Sequence, residues 1–156
     1  MLKERMMGLD IRMEDARKVI EAMLEAAIKT PEDQSNPMSA APMAFVVTDT
    51  AGALVYLIRM DGASTLNARM AINKAYTAIE TRRDTVDSEN LLKKTGRDIA
   101  DFSGGEPRLT YIPGGVLIRS KDSSIVGAIG TSGRLALAPM GDEELARIGA
   151  KAYLNL

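Results

Sequence analysis

Between Arg12 and Lys29, apolar residues fall at Met13, Ala16, Val19, Ile20, Met23, Leu24, Ala27 and Ile28. That spacing gathers one face of an amphipathic α-helix, and Asp10 stands near its start as a cap. The rhythm breaks from Thr30 to Pro42, where three prolines sit among Ser, Asn and Asp, and predicts an irregular connection. Ala44 to Thr48 and Ala53 to Ile58 are β-rich and almost continuously apolar, with turn chemistry from Asp49 to Gly52 between them. They read as a hairpin covered on both faces. From Ser64 to about Thr81 the pattern returns to a helical period, with Ala68, Ala71, Ile72, Ala75 and Ile79 small enough to bring the helix close to the sheet.

Beyond Asp84 the hydrophobic signal thins. Val86, Leu91, Leu92 and Ile99 can seat a short helix or two, interrupted at Gly96. Ser103-Gly104-Gly105 and Pro113-Gly114-Gly115 then flank short β-prone segments. Val116 to Arg119 and Ser124 to Thr131 form a second hairpin around Lys121-Asp122-Ser123. Asp142 can cap a last helix through Ala152, with Leu145, Ile148 and Tyr153 facing inward. Two hairpins separated by helices predict an antiparallel sheet in one α+β domain spanning 1–156, because parallel strands would each need a crossover.

Composition removes whole classes of chemistry. The chain has no cysteine and no histidine, which excludes disulfides, thiolate nucleophiles and metal sites, and triads built on His. Acid–base work would fall to Asp, Glu, Lys or Tyr, and no metal site is predicted. A net charge of −1 gives no positive field for nucleic acid. No apolar run reaches membrane-spanning length, and acidic Glu4 and Asp10 do not resemble a signal peptide. These features predict a cytoplasmic chain without nucleic-acid or membrane partners.

The candidate chemistry centres on Arg59-Met60-Asp61-Gly62-Ala63-Ser64, which leads from a strand into a helix. Helix starts offer unpaired N–H groups and partial positive charge, and glycine allows close approach, so a carboxylate can be held there. Asn67, Met70 and Lys74 share one face of the helix that follows and form a pocket wall. The plainer alternative has Asp61 or Ser64 capping the helix, Arg59 paired with Asp61, and Lys74 in solvent. Gly114-Gly115 marks either a turn or a close ligand contact. Gly127 to Gly133 lacks the Gly-Lys-Ser/Thr ending of a phosphate loop, and its glycines fit close packing against the alanine-rich helix. Met6, Met7, Met38, Met43, Met60, Met70 and Met140 follow no single register and suit flexible packing in core or interface. Tyr56, Tyr76, Tyr111 and Tyr153 are potential ligands or proton donors.

Gly52-Ala53-Leu54, Arg59 to Ala63, Ala71, Lys74-Ala75, Thr77-Ala78, Pro113-Gly114-Gly115 and Val126 to Gly133 together resemble the GlcG/HbpS family over about Leu9 to Ala152. That family includes haem-binding proteins and the C-terminal domain of PduO-type proteins. The resemblance implies a GlcG-like, profilin-like central antiparallel sheet of about five strands flanked by helices, and assembly into homo-oligomers. It also implies a ligand site at Arg59, Met60, Asp61, Gly62, Asn67, Met70, Lys74, Tyr111, Gly114 and Gly115. Haem is one ligand it suggests, although iron would have to find Tyr, Met, Lys or a threonine hydroxyl in place of histidine. The leading expectation is an accessory protein of small-molecule catabolism that binds a small carboxylate or a tetrapyrrole. An enzyme acting on a carbonyl or hydroxy-acid intermediate, with Lys74 and Asp61 as catalytic acid and base, and a purely structural oligomer are the alternatives.

Overall fold

A computed structural model describes residues 10–156; Met6 and Met7 lie outside them. Helix α1 (Met13–Lys29) precedes the hairpin β1 (Ala44–Thr48) and β2 (Leu54–Arg59). Helices α2 (Thr65–Thr81), α3 (Thr85–Thr95) and α4 (Ala100–Ser103) lead to the hairpin β3 (Gly115–Arg119) and β4 (Ile125–Ser132), and α5 (Asp142–Leu154) closes the chain. The sheet is antiparallel with order β2-β1-β4-β3, so the first strands of the two hairpins stand apart and β1 pairs with β4.

The side-chain alternation of the strands divides the core in two. Ala44 and Val46 of β1, Leu117 of β3 and Ala128 of β4 face Ala71, Ala75 and Ala78 of α2. Phe45, Val47, Val116, Ile118 and Ile129 point the other way, onto Val19, Ile20 and Met23 of α1 and Leu145 of α5. Small residues let α2 sit low on the sheet. A Cβ on Gly130 would lie 1.8 Å from the Ala71 carbonyl oxygen, and one on Gly115 would lie 2.3 Å from that of Lys74. The close packing expected of the glycine-rich strand is therefore present at Gly130, whereas Gly127 meets the Thr48 carbonyl of β1.

Among the described residues the sheet has four strands, not about five. The β-prone run before Gly114 is bounded by Pro107 and Pro113, which donate no backbone hydrogen bond. It lies instead along α2, with Thr110 N–H donating to Thr77 Oγ1 at 2.9 Å. The outer edge of β3 is closed by side chains at the start of α3: Leu117 N–H donates to Asp84 Oδ1 and Gly115 N–H to Thr85 Oγ1, both at 2.9 Å. Strand β1 is buried throughout, but β2 is an edge strand with exposed ends, so coverage on both faces holds for β1 alone.

Helix ends also differ from expectation. Arg12, with no side-chain cap, precedes α1, and Asp10 instead accepts the Thr50 N–H at 2.9 Å, tying the chain to the β1–β2 turn. Asp142 begins α5 after Gly141, and its carboxylate is turned away from the helix end to other partners. Gly96 ends α3 in the left-handed conformation, φ 65°, the C-terminal stop expected of glycine.

Candidate functional site

An open cavity of about 430 Å³ lies between the first half of α2 and the segment that leaves β4. Leu66, Asn67, Met70 and Lys74 line it from α2, where their spacing puts them on one face. Ile112 approaches from the loop before β3, and Ser132 to Ala136 form the opposite wall. Leu66, Ile112 and Leu135 are 56%, 48% and 54% exposed, so its apolar rim faces outward. Asp142 completes the lining beside Lys74.

Lys74 is the most deeply buried charged residue on the lining. Its side chain is 2% exposed, and Nζ donates to Asp142 Oδ2 at 2.8 Å and to the Thr131 carbonyl at 2.9 Å. An ammonium carries three donors, so one N–H remains beyond these two bonds. Burial lowers the Lys74 pKa and raises that of Asp142, and each group opposes the other's shift by pairing. Low-dielectric surroundings thus push both toward their neutral forms while the ion pair holds them charged. Asp142 is fixed independently, because Oδ1 accepts the Arg134 N–H at 3.0 Å.

Arg134 also lines the cavity, yet its guanidinium is committed elsewhere. It donates to the carbonyls of Ala41 at 3.1 Å, Met140 at 3.2 Å and Ala27 at 2.9 Å. This side chain ties the end of α1, the approach to β1 and the approach to α5 together. Glu143 is the next charge; burial raises its pKa, and Oε2 accepts the Gly114 N–H at 2.9 Å.

Of the ligand-site residues expected from sequence, Asn67, Met70 and Lys74 come together on the cavity wall and the rest of that set lie off it, whereas Gly133 and Asp142, expected as a packing glycine and a helix cap, line it. Arg59, exposed at the end of β2, donates to the Ala63 carbonyl and pairs with neither Asp61 nor the Lys74 site. Two converging cations are therefore not what this chain builds. Met60 and Gly62 form the turn into α2, with Gly62 at φ 86°, and Asp61 is exposed. Ser64 caps α2, accepting the Asn67 N–H at 3.1 Å, as the plainer reading had it. That reading fails at Lys74, which is buried. Gly114 and Gly115 donate to Glu143 and Thr85, so their N–H groups are occupied. Tyr111 is half-buried beside Ile112 and is not on the lining. Asp61 is thus no partner of Lys74; Asp142, 68 residues away in sequence, takes that place.

Nothing local in the sequence marked Arg134, Thr131 or Asp142 as neighbours of Lys74. No group of three or more acidic residues able to hold a metal occurs among the described residues, and none of their helices is long and apolar enough to cross a membrane.

A four-stranded antiparallel sheet with helices on both faces has counterparts among solved proteins. A double mutant of Streptomyces reticuli HbpS is 27% identical, with a TM-score of 0.70 over 91% of this chain and 86% of that one. A PduOC–haem complex is 19% identical, with a TM-score of 0.75 over 92% of this chain and 94% of that one. Klebsiella pneumoniae protein ORFY is 21% identical, with a TM-score of 0.74 over 94% and 92%. The last two establish likeness of fold alone. No curated protein matches the chain significantly. The family described as "Haem degrading protein HbpS-like" matches residues 11–151, and the chain belongs to it.

Proposed function

We propose that this protein binds a small organic ligand, with an apolar body and an oxygen-bearing polar end, in the cavity over Lys74. The observation that carries the reading is the spare N–H of a buried ammonium at an otherwise apolar-rimmed cavity. A carboxylate or carbonyl oxygen is the group such a donor selects. Leu66, Met70, Ile112 and Leu135 would cover the body of the ligand. In this reading the chain is a cytoplasmic accessory protein of small-molecule catabolism, and its exposed apolar rim favours work as a homo-oligomer.

Haem is the ligand its family and the solved PduOC complex suggest. The lining suits the apolar plane and a carboxylate of a tetrapyrrole, but the donor set does not suit its iron. The chain has no histidine or cysteine, Lys74 is held by Asp142 and Thr131, and the soft donor on the lining is Met70. Tetrapyrrole binding here would therefore rest chiefly on the apolar lining and the Lys74 donor, with no His or Cys bond to iron.

The test is a paired titration with haemin and with metal-free protoporphyrin IX, read by absorbance and by the rise in melting temperature that ligand linkage requires. Similar affinities for the two, abolished by Leu66→Asp and unchanged in Arg59→Ala, are expected. No response to either, or a response lost in Arg59→Ala and kept in Leu66→Asp, would overturn the reading.

A further inference from the structure

We propose that Lys74 is a carbonyl-reactive amine, forming a covalent imine with an aldehyde or 2-oxo acid held in the cavity. The proposal rests on the cavity reading above and adds chemistry to it. Among the described lysines, Lys74 alone combines burial with a place on a cavity wall. A solvated lysine at neutral pH is almost wholly ammonium and a poor nucleophile. Lys74 differs because its Nζ lies 2.8 Å from a carboxylate that can receive the proton directly. The charged groups around it are Asp142 and Glu143 of α5 and the guanidinium of Arg134. Arg134 is spent on three carbonyls and Glu143 on the Gly114 N–H, which leaves Asp142 as the proton partner.

The step balances without a redox partner. Asp142 takes a proton from the Lys74 ammonium, and the amine lone pair attacks the carbonyl carbon, forming the C–N bond as the carbonyl π pair moves to oxygen. The nitrogen's excess proton passes to that oxygen, giving a neutral carbinolamine. Asp142 returns its proton to the hydroxyl, the C–O bond breaks, and water leaves. The product is a protonated imine, which keeps the positive charge opposite the Asp142 carboxylate, so the ion pair survives the reaction. Asp142 remains in place throughout, because its second oxygen accepts the Arg134 N–H at 3.0 Å.

The experiment treats the full chain with pyruvate or with butanal in the presence of cyanoborohydride at pH 7, then maps the reduced adducts by peptide mass spectrometry. The two probes separate a charged from a neutral carbonyl source. Lys74 is expected to be the most heavily labelled lysine with one of them, roughly tenfold or more over exposed Lys29 and Lys93, because burial favours its free amine. That preference should narrow toward pH 10, where exposed amines also become nucleophilic. In Lys74→Arg the exposed lysines should still label and the Lys74 adduct vanish. Exposed lysines labelled as heavily as Lys74, or more heavily, with both probes would overturn the proposal. A purely structural lysine would give that pattern, and the porphyrin titration would then still stand or fall by itself.

Discussion

Replacing Lys74 with methionine keeps most of the side-chain volume and removes the charge, leaving Asp142 buried without its cation. Both side chains are almost wholly inaccessible, at 2% and 4% exposure, so solvent screens little of the change. Breaking such a pair from one side typically costs about 3–5 kcal/mol, which for a domain of this size lowers Tm by about 6–20 °C. The penalty should depend on pH in a definite direction. Without Lys74, the Asp142 carboxyl rises further above its ordinary range, so the folded variant binds more protons than the unfolded chain and gains stability as pH falls. Urea unfolding at pH 7 and pH 5 checks this: the Lys74→Met deficit should shrink at the lower pH. Adding Asp142→Asn should restore part of the loss at pH 7, since an amide can still accept the Arg134 N–H. A deficit below about 1 kcal/mol, or one equal at both pH values, would refute the buried-pair reasoning.

Three further outcomes follow from the packing. Gly130→Ala should cost about 3 kcal/mol or prevent folding, because its Cβ falls on the Ala71 backbone, whereas Gly96→Ala meets open space and should cost only about 1 kcal/mol for its positive φ; thermal melts of the two compare them. Arg134→Lys cannot reach three carbonyls at once and should lose about 1–3 kcal/mol in urea unfolding. Asp84→Ala removes the acceptor that covers the β3 edge, so the Leu117 amide should exchange with deuterium markedly faster while the α1 amides stay protected.

What the sequence made legible was local. The helical periods of α1 and α2, the two hairpins and the shared face of Asn67, Met70 and Lys74 all follow from repeats within a few residues, and each is present. Two local signals misled because a distant partner outcompeted them. Asp10 was placed to cap α1 but is taken by Thr50, 40 residues on. Asp142 was placed to cap α5 but is taken by Lys74 and Arg134. Arg59 failed for the opposite reason: its nearest acceptor, the Ala63 carbonyl, was close enough to keep it from any cleft. The run from Leu109 to Ile112 has strand-like residues, yet an edge strand needs a partner edge, and Asp84 and Thr85 already occupy that of β3. Tertiary competition of this kind leaves no mark in residue spacing.

The central claim, a ligand cavity built on the Asn67–Lys74 face of α2, is tested most directly by amide chemical-shift mapping during titration with metal-free protoporphyrin IX. Saturable shifts confined to Leu66 to Lys74, Ile112 and Ser132 to Ala136 are the predicted result. Shifts centred on Arg59 to Gly62, or none at all, would contradict it.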